Sequence, residues 1–336
     1  MKNNKNVILI DNDKEQMKEF KEGIEKCSNQ KWDFILEQTN KENNEVIRYL
    51  KYFIFSLKIF LKRKKINSIV AWQQFYGIIF AFYCRVFHVK KINNLYICTF
   101  IYKDKKRIKR LYYKFIKYAI SSKYVDKIIC FSKSECENYA KIFNIDKNKF
   151  IYLNLGIKKI DTKKYKTNSK EKYILSCGKS NRDYNFLIDA LKDTKYNVKI
   201  ICNNLKKESM KNIQIYNNTF REEYFKMLAN CYCVVIPLKD KKISSGQLVL
   251  LQAMQFKKPI IITDTVTVKT YVKNLDNGIL IKNTKENLIE SLEKLYTDKE
   301  LYIKICNNAY KKYEKKYSLY KLGQNIGKAI LREKLI

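Results

Sequence analysis

Short apolar runs alternate with amphipathic stretches from one end of the chain to the other. The runs are four to six residues long and rich in Ile, Val and Leu, the pattern of strands buried on both faces. In the first half they predict strands at Val7–Asp11, Phe34–Glu37, Ser68–Trp72, Leu95–Phe100, Lys127–Phe131 and Phe150–Leu155. Helical periodicity fills the gaps, near 14–27, 43–64, 76–87, 106–121 and 133–143. After Gly156 the chain turns polar and aperiodic, which predicts a linker over 158–172. The alternation then restarts with strands at Tyr173–Cys177, Val198–Cys202, Ile213–Tyr216, Val234–Leu238, Pro259–Thr263 and Gly278–Ile281, and helices near 184–193, 220–231, 247–256, 285–296 and 298–316. Strands separated by helices predict an α/β fold with two parallel, doubly wound sheets. The expected domains are 1–157 and 173–316, with a last helix over 317–336.

Composition adds a strong charge. Lys and Arg number 69 against 33 Asp and Glu, a formal net charge of +36. Such an excess fits nucleic acid, an anionic membrane or a phosphorylated substrate. The wealth of Lys, Asn, Ile and Tyr, with only 2 Pro and 8 Gly, also fits a simple coding bias. The cations are spread throughout and no RNP motif or zinc finger is present, so no specific nucleic acid is expected. Ten cysteines without a C-x-x-C pair, beside a single histidine, His88, leave no Cys/His metal set. They read as buried thiols in a reducing compartment. No apolar signal core follows Met1, so a cytoplasmic location is expected. The Asp11-x-Asp13 pair follows the first strand, too early for a metal-binding D-x-D. No metal or cofactor is expected.

The helix over 46–66 carries an apolar stripe at Val46, Leu50, Phe53, Leu57 and Leu61, which its period assigns to the core. Arg48, Lys51, Lys58 and Lys62 then fall on the outer face with Phe55 and Ile59. Two readings stay open: a helix lying on an anionic membrane surface, and a buried crossover helix with a basic end.

The densest chemistry is S-S-G-Q-L-V-L-L-Q-A-M-Q-F-K-K-P-I-I-I-T-D, from Ser244 to Asp264: a small-residue loop, a helix and a buried strand. A loop of this kind leaves N–H groups free at the helix start, where phosphate is favoured. The segment resembles the donor-site signature E-G-F-G-L-x-x-L-E-A-M-A-x-G-x-P-V-I-A-S of GT-B glycosyltransferases, in particular the retaining family four. Ser244 and Gln252 stand at its two glutamate positions, so both acidic places are neutral. The resemblance implies contact with the transferred sugar and the ribose at Ser244 and Gln252, and phosphate contacts at Ser245, Gly246 and Gln247. The segment Y-I-L-S-C-G-K-S-N-R-D-Y resembles the opening of the same nucleotide-sugar domain. There Gly178 turns the chain, Lys179 takes the place of the diphosphate-binding arginine, and Arg182 is the candidate second cation. Thr219 and Phe220 fall at the nucleobase positions, with core packing as the plainer reading of Phe220. The segment I-I-C-F-S-K-S-E-C-E-N-Y-A-K-I-F resembles the strand, serine and helix ahead of the family's linker.

The resemblance implies GT-B architecture, with the helix over 317–336 crossing back onto the first domain, and transfer of a sugar from a nucleoside diphosphate to a glycan or lipid-linked acceptor, with no metal and with retention. In the first domain, Trp72, Gln73, Gln74 and Tyr76 could stack on and bond an acceptor sugar, or simply pack. Phe100 stands where the family often carries a histidine, and His88, in an earlier helix, is not expected to replace it. Two other classes remain open: a degenerate GT-B scaffold serving as a partner subunit, and a basic nucleic-acid-binding protein.

Overall fold

The computed structural model describes every residue except 1–3, 12, 40, 41, 43, 103–108, 168–170, 242, 243, 335 and 336. The ends of the helices expected over 43–64, 106–121 and 317–336, and part of the linker, lie outside the described residues. The chain divides into two compact units, Met1–Lys158 with Leu319–Ile336, and Lys159–Ser318.

In the first unit the strands are β1 (Lys5–Ile10), β2 (Trp32–Leu36), β3 (Ile66–Ala71), β4 (Asn94–Ile97), β5 (Lys127–Cys130) and β6 (Phe150–Tyr152). They form one sheet in the order β2-β1-β3-β4-β5-β6, every pair parallel. The helices are α1 (Lys14–Ser28), α2 (Glu45–Leu61), α3 (Gln74–Val86), α4 (Lys109–Ile120) and α5 (Lys133–Phe143). Two apolar cores, one on each face of the sheet, explain why its strands read as unbroken apolar runs.

The last helix of the chain, Leu319–Lys334, runs parallel to α1 and packs on it through glycine contacts. A Cβ on Gly23 would stand 2.2 Å from the Tyr320 carbonyl oxygen, and one on Gly323 2.1 Å from that of Phe20. Only residues without a side chain let the two backbones approach so closely. Met17, Phe20 and Ile24 meet Leu322, Ile326 and Ile330 in the same core.

The structure reverses the expected orientation of α2. Tyr52, Phe55, Ser56, Ile59 and Phe60 are its buried residues, and Phe55 is only 4% exposed. Of the stripe assigned to the core, Val46 (68% exposed), Leu50 (56%) and Leu61 (67%) face outward, with Ile54 (55%) beside them, while Phe53 and Leu57 are half-buried against the core. Apolar residues run almost all round this helix, so periodicity alone could not choose a face. The choice is made against α3, where Phe55 packs on Tyr76 with centroids 4.5 Å apart and the Ser56 hydroxyl donates to the Tyr76 carbonyl. No helix among the described residues is long and apolar enough to cross a membrane.

The second unit repeats the plan with β7 (Ile174–Cys177), β8 (Val198–Ile201), β9 (Ile213–Tyr216), β10 (Cys233–Ile236), β11 (Ile260–Thr263) and β12 (Ile279–Ile281). The order is β12-β11-β10-β7-β8-β9, again wholly parallel. Its helices are α6 (Tyr184–Leu191), α7 (Arg221–Asn230), α8 (Gln247–Gln255), α9 (Val266–Tyr271), α10 (Lys285–Thr297) and α11 (Lys299–Lys316); the helix that returns to the first unit is α12. Helix α9 is absent from the sequence reading. Its V-T-V-K-T-Y is β-branched and strand-like, and a cap from the Thr265 hydroxyl to the Val268 N–H turns it helical.

Candidate functional site

In the second sheet β7 and β10 are neighbours, but the chain leaves β7 toward β8 and leaves β10 toward β11, in opposite directions. Loops that diverge in this way leave a crevice at the carboxyl ends of the two strands, where α/β sheets bind ligands. The described residues there are 178–183, 237–241 and 244–246; they contain Gly178, Lys179, Arg182, Ser245 and Gly246 of the set singled out for diphosphate, and Gln247 opens α8.

Each loop turns on a glycine in left-handed backbone, Gly178 at φ 108° and Gly246 at φ 87°. Gly246 caps α8 without a side-chain bond, and the first turn of that helix has no acidic residue. The positive end of α8 is therefore left to an anion. Between the loops lies the Arg182 guanidinium. Its Nε donates to the Cys177 carbonyl at 3.0 Å and its Nη1 to the Ser180 carbonyl at 2.8 Å. A Cβ on Gly178 would meet Nη2 at 2.8 Å, and one on Gly246 would lie 3.8 Å from Nη1. Lys179 is exposed and makes no hydrogen bond or ion pair among the described residues. One cation is thus fixed by the backbone and the other is available to a ligand.

Asn181 laces the two loops together, a role the sequence reading missed. At φ 54° its Nδ2 donates to the Ser245 hydroxyl at 2.9 Å and to the Asp240 carbonyl at 2.8 Å, while its Oδ1 accepts from the Asp240 N–H. Ser244 accepts a hydrogen bond from the Gln247 side chain. Gln252, farther along α8, accepts from the Tyr224 hydroxyl, which in turn is 3.7 Å from the Cys177 sulfur. Burial holds the Cys177 thiol up at about 11 and the Tyr224 phenol well above its ordinary range, so both stay neutral at neutral pH.

Beneath the loops, the Thr263 hydroxyl accepts from the Leu238 N–H and donates to Asn283, whose amide reaches the Leu238 carbonyl and Asp183. Asp183 also caps α6 through the Phe186 N–H. These bonds tie the ends of β10, β11 and β12 to the start of α6. Single polar residues of this kind leave no periodic signal in a sequence. At the far side of the same sheet end, Phe220 is 80% exposed at the start of α7, beside the half-buried Thr219. The plainer expectation of core packing for Phe220 is therefore wrong.

In the first unit the corresponding switch lies between β1 and β3. Gln73 donates to Asp11 at 3.0 Å, joining the loops after those strands, and accepts from the Phe75 N–H to cap α3. Gln74 bonds both backbone groups of Ile101. Trp72 packs edge-on against Phe20 at 5.0 Å. Tyr76 is fully buried, its hydroxyl bonded to Thr39 and to the Glu37 carbonyl, and so it is unable to touch an acceptor. It is a core residue, withdrawn from the candidate set because the same ring supports α2. Asp13 caps α1 through the Glu15 N–H.

Residues 157–312 match the family model of glycosyl transferases group 1. No curated protein sequence matches the chain. Among solved structures, HepE from Anabaena in complex with UDP and glucose superposes with a TM-score of 0.67 at 12% identity, covering 97% of this chain and 99% of that one. Sucrose-phosphate synthase from Thermosynechococcus elongatus gives 0.70 at 10%, covering 98% and 99%. WaaG, a glycosyltransferase involved in lipopolysaccharide biosynthesis, gives 0.63 at 14%, covering 96% and 99%.

Two parallel six-stranded sheets and these superpositions give the chain the GT-B fold. Over residues 157–312 the chain matches the group 1 glycosyltransferase model, and positions 244 and 252 there hold the neutral Ser244 and Gln252.

Proposed function

We propose that the chain moves a sugar from a nucleoside diphosphate sugar to a glycan or lipid-linked acceptor in bacterial surface polysaccharide synthesis, with retention and without a metal ion. The observation that carries this reading is the loop pair: an uncapped helix start at Gly246, the Arg182 guanidinium between two left-handed glycines, and Lys179 exposed beside them. Those groups suit a diphosphate. The HepE complexes, which hold UDP or UDP-glucose, support the same class of donor.

In the reaction, the bond between the anomeric carbon and the diphosphate oxygen breaks and its electron pair leaves with the phosphate. Lys179, Arg182 and the α8 N–H groups stabilise that charge in place of a metal. The acceptor hydroxyl forms the new bond on the same face, and its proton passes to the departing phosphate oxygen. No side-chain nucleophile is needed. Neutral Ser244 and Gln252 are compatible with this course, since neither has to carry charge.

The exposed stripe of α2 supports an anionic bilayer as the place of work. Leu50, Ile54 and Leu61 face outward, and Lys58, Lys62, Lys64 and Lys65 are exposed around them. Apolar side chains that enter the headgroup layer, ringed by cations, match such a surface. Arg48 and Lys51 contribute less, being paired to Glu45 and Glu42.

The test is release of nucleoside diphosphate from a panel of nucleotide sugars, with and without lipid-linked and polysaccharide acceptors, in the presence of EDTA. Acceptor-dependent release from one donor is expected. Intact nucleotide binding with no release under any pairing would leave the chain as a scaffold.

A further inference from the structure

Gln252 is held by a short chain of hydrogen bonds that fixes which way round its amide sits. The Cys177 thiol lies 3.7 Å from the Tyr224 hydroxyl, and that hydroxyl lies 2.8 Å from Gln252 Oε1. A phenol has one proton to give. With the thiol directed at its oxygen, Tyr224 gives that proton to the amide oxygen. The reverse orientation would spend the phenol proton on sulfur, a far weaker acceptor than an amide carbonyl. In the arrangement observed, Gln252 Nε2 makes no hydrogen bond among the described residues, although the side chain is only half-buried. The amide therefore keeps two donors and has its acceptor occupied.

We infer that Tyr224 is a positioning residue that sets the Gln252 amide to donate, so that this place in the donor site takes an acceptor oxygen of the bound nucleotide sugar. The inference rests on the reading that the loops at Gly178 and Gly246 hold a nucleoside diphosphate. A carboxylate at the same position could only accept, and would add a negative charge beside a diphosphate. The amide instead takes a ligand oxygen through its lone pair and adds no charge. Tyr224 comes from α7 and Gln252 from α8, so the setting of the amide depends on packing between elements rather than on the motif itself.

The experiment uses the full chain titrated calorimetrically with UDP, GDP and ADP, followed by a double-mutant cycle with the tightest of them. Tyr224→Phe and Gln252→Leu should each weaken binding by roughly three- to tenfold, the usual range for one hydrogen bond. Tyr224→Phe in the Gln252→Leu background should cause no further loss. Losses that multiply, or an unchanged affinity in Tyr224→Phe, would overturn the inference. In nitrogen-15-labelled wild-type protein, the side-chain amide pair that is missing from Gln252→Leu should shift when the nucleotide is added. A pair that stays in place while the nucleotide binds would refute the donor role and leave the diphosphate reading standing. Absence of binding by all three nucleotides would remove the diphosphate reading itself, and this inference with it.

Discussion

Asn181 donates a 2.9 Å hydrogen bond to the Ser245 hydroxyl, joining two loops that lie 64 residues apart in sequence. The same side chain bonds both backbone groups of Asp240, so one asparagine holds the mouth of the second sheet in shape. Asn181→Ala should weaken nucleoside diphosphate binding by roughly 1–2 kcal/mol through loosened loops. Calorimetric titration checks this, and an unchanged affinity would show that the loops keep their shape without the bond.

Lys179 and Arg182 should separate cleanly. Arg182 anchors the Cys177 and Ser180 carbonyls, whereas Lys179 is exposed. Lys179→Ala is expected to lower nucleotide affinity at constant thermal stability. Arg182→Ala should lower both. Equal melting temperatures for the two variants would argue against the anchoring role.

The packing of α1 on α12 depends on missing side chains. Gly23→Ala or Gly323→Ala would push a methyl group to within 2.2 or 2.1 Å of a facing carbonyl oxygen. A loss of about 1–3 kcal/mol is expected for such overpacking, read from urea denaturation. Wild-type stability in both variants would mean the helices can separate at no cost.

The reversed face of α2 changes which substitutions report on a membrane. Ile54→Glu and Leu50→Glu should reduce sedimentation with vesicles containing anionic lipid and leave folding intact, since both residues are exposed. Phe55→Glu should damage the fold instead, because Phe55 is buried against Tyr76. Undiminished sedimentation of the double variant would remove α2 from the bilayer.

Glu135 gives stability a pH dependence. Burial raises its carboxyl from the ordinary 4.5 to about 7. Between those values the folded state binds the proton more tightly than the unfolded one, so stability falls as pH rises from about 4.5 to about 7 and then levels. In Glu135→Gln that component of the slope should vanish. An identical pH profile in the variant would show that the carboxyl is solvated.

The sheets were legible because parallel strands buried on both faces leave unbroken apolar runs, as in Ile8–Ile10 and Ile260–Ile262. Gly178 and Gly246 were legible because few other residues accept their backbone angles. The face of α2 was hidden by apolar residues on all sides, and was decided by contacts with Tyr76 that no period encodes. Tyr76 itself resembled a binding residue because its loop holds Trp72, Gln73 and Gln74; burial shows it to be core. Asn181, Tyr224, Thr263 and Asn283 act through side-chain hydrogen bonds across long sequence separations. Such bonds become visible only once the strands are placed.

The central claim is that the loops at Gly178 and Gly246 hold a nucleoside diphosphate without metal. The most direct measurement is thermal unfolding of the full chain against a panel of nucleoside diphosphates and nucleotide sugars in EDTA, beside Gly246→Val. A ligand at a hundred times its dissociation constant adds roughly 2.7 kcal/mol to the native state. The account predicts a selective shift with one nucleotide in the wild type, lost in Gly246→Val because a branched side chain is strained at φ 87° and crowds Ile236. An equal shift in both proteins, or none in a folded wild type, would contradict it.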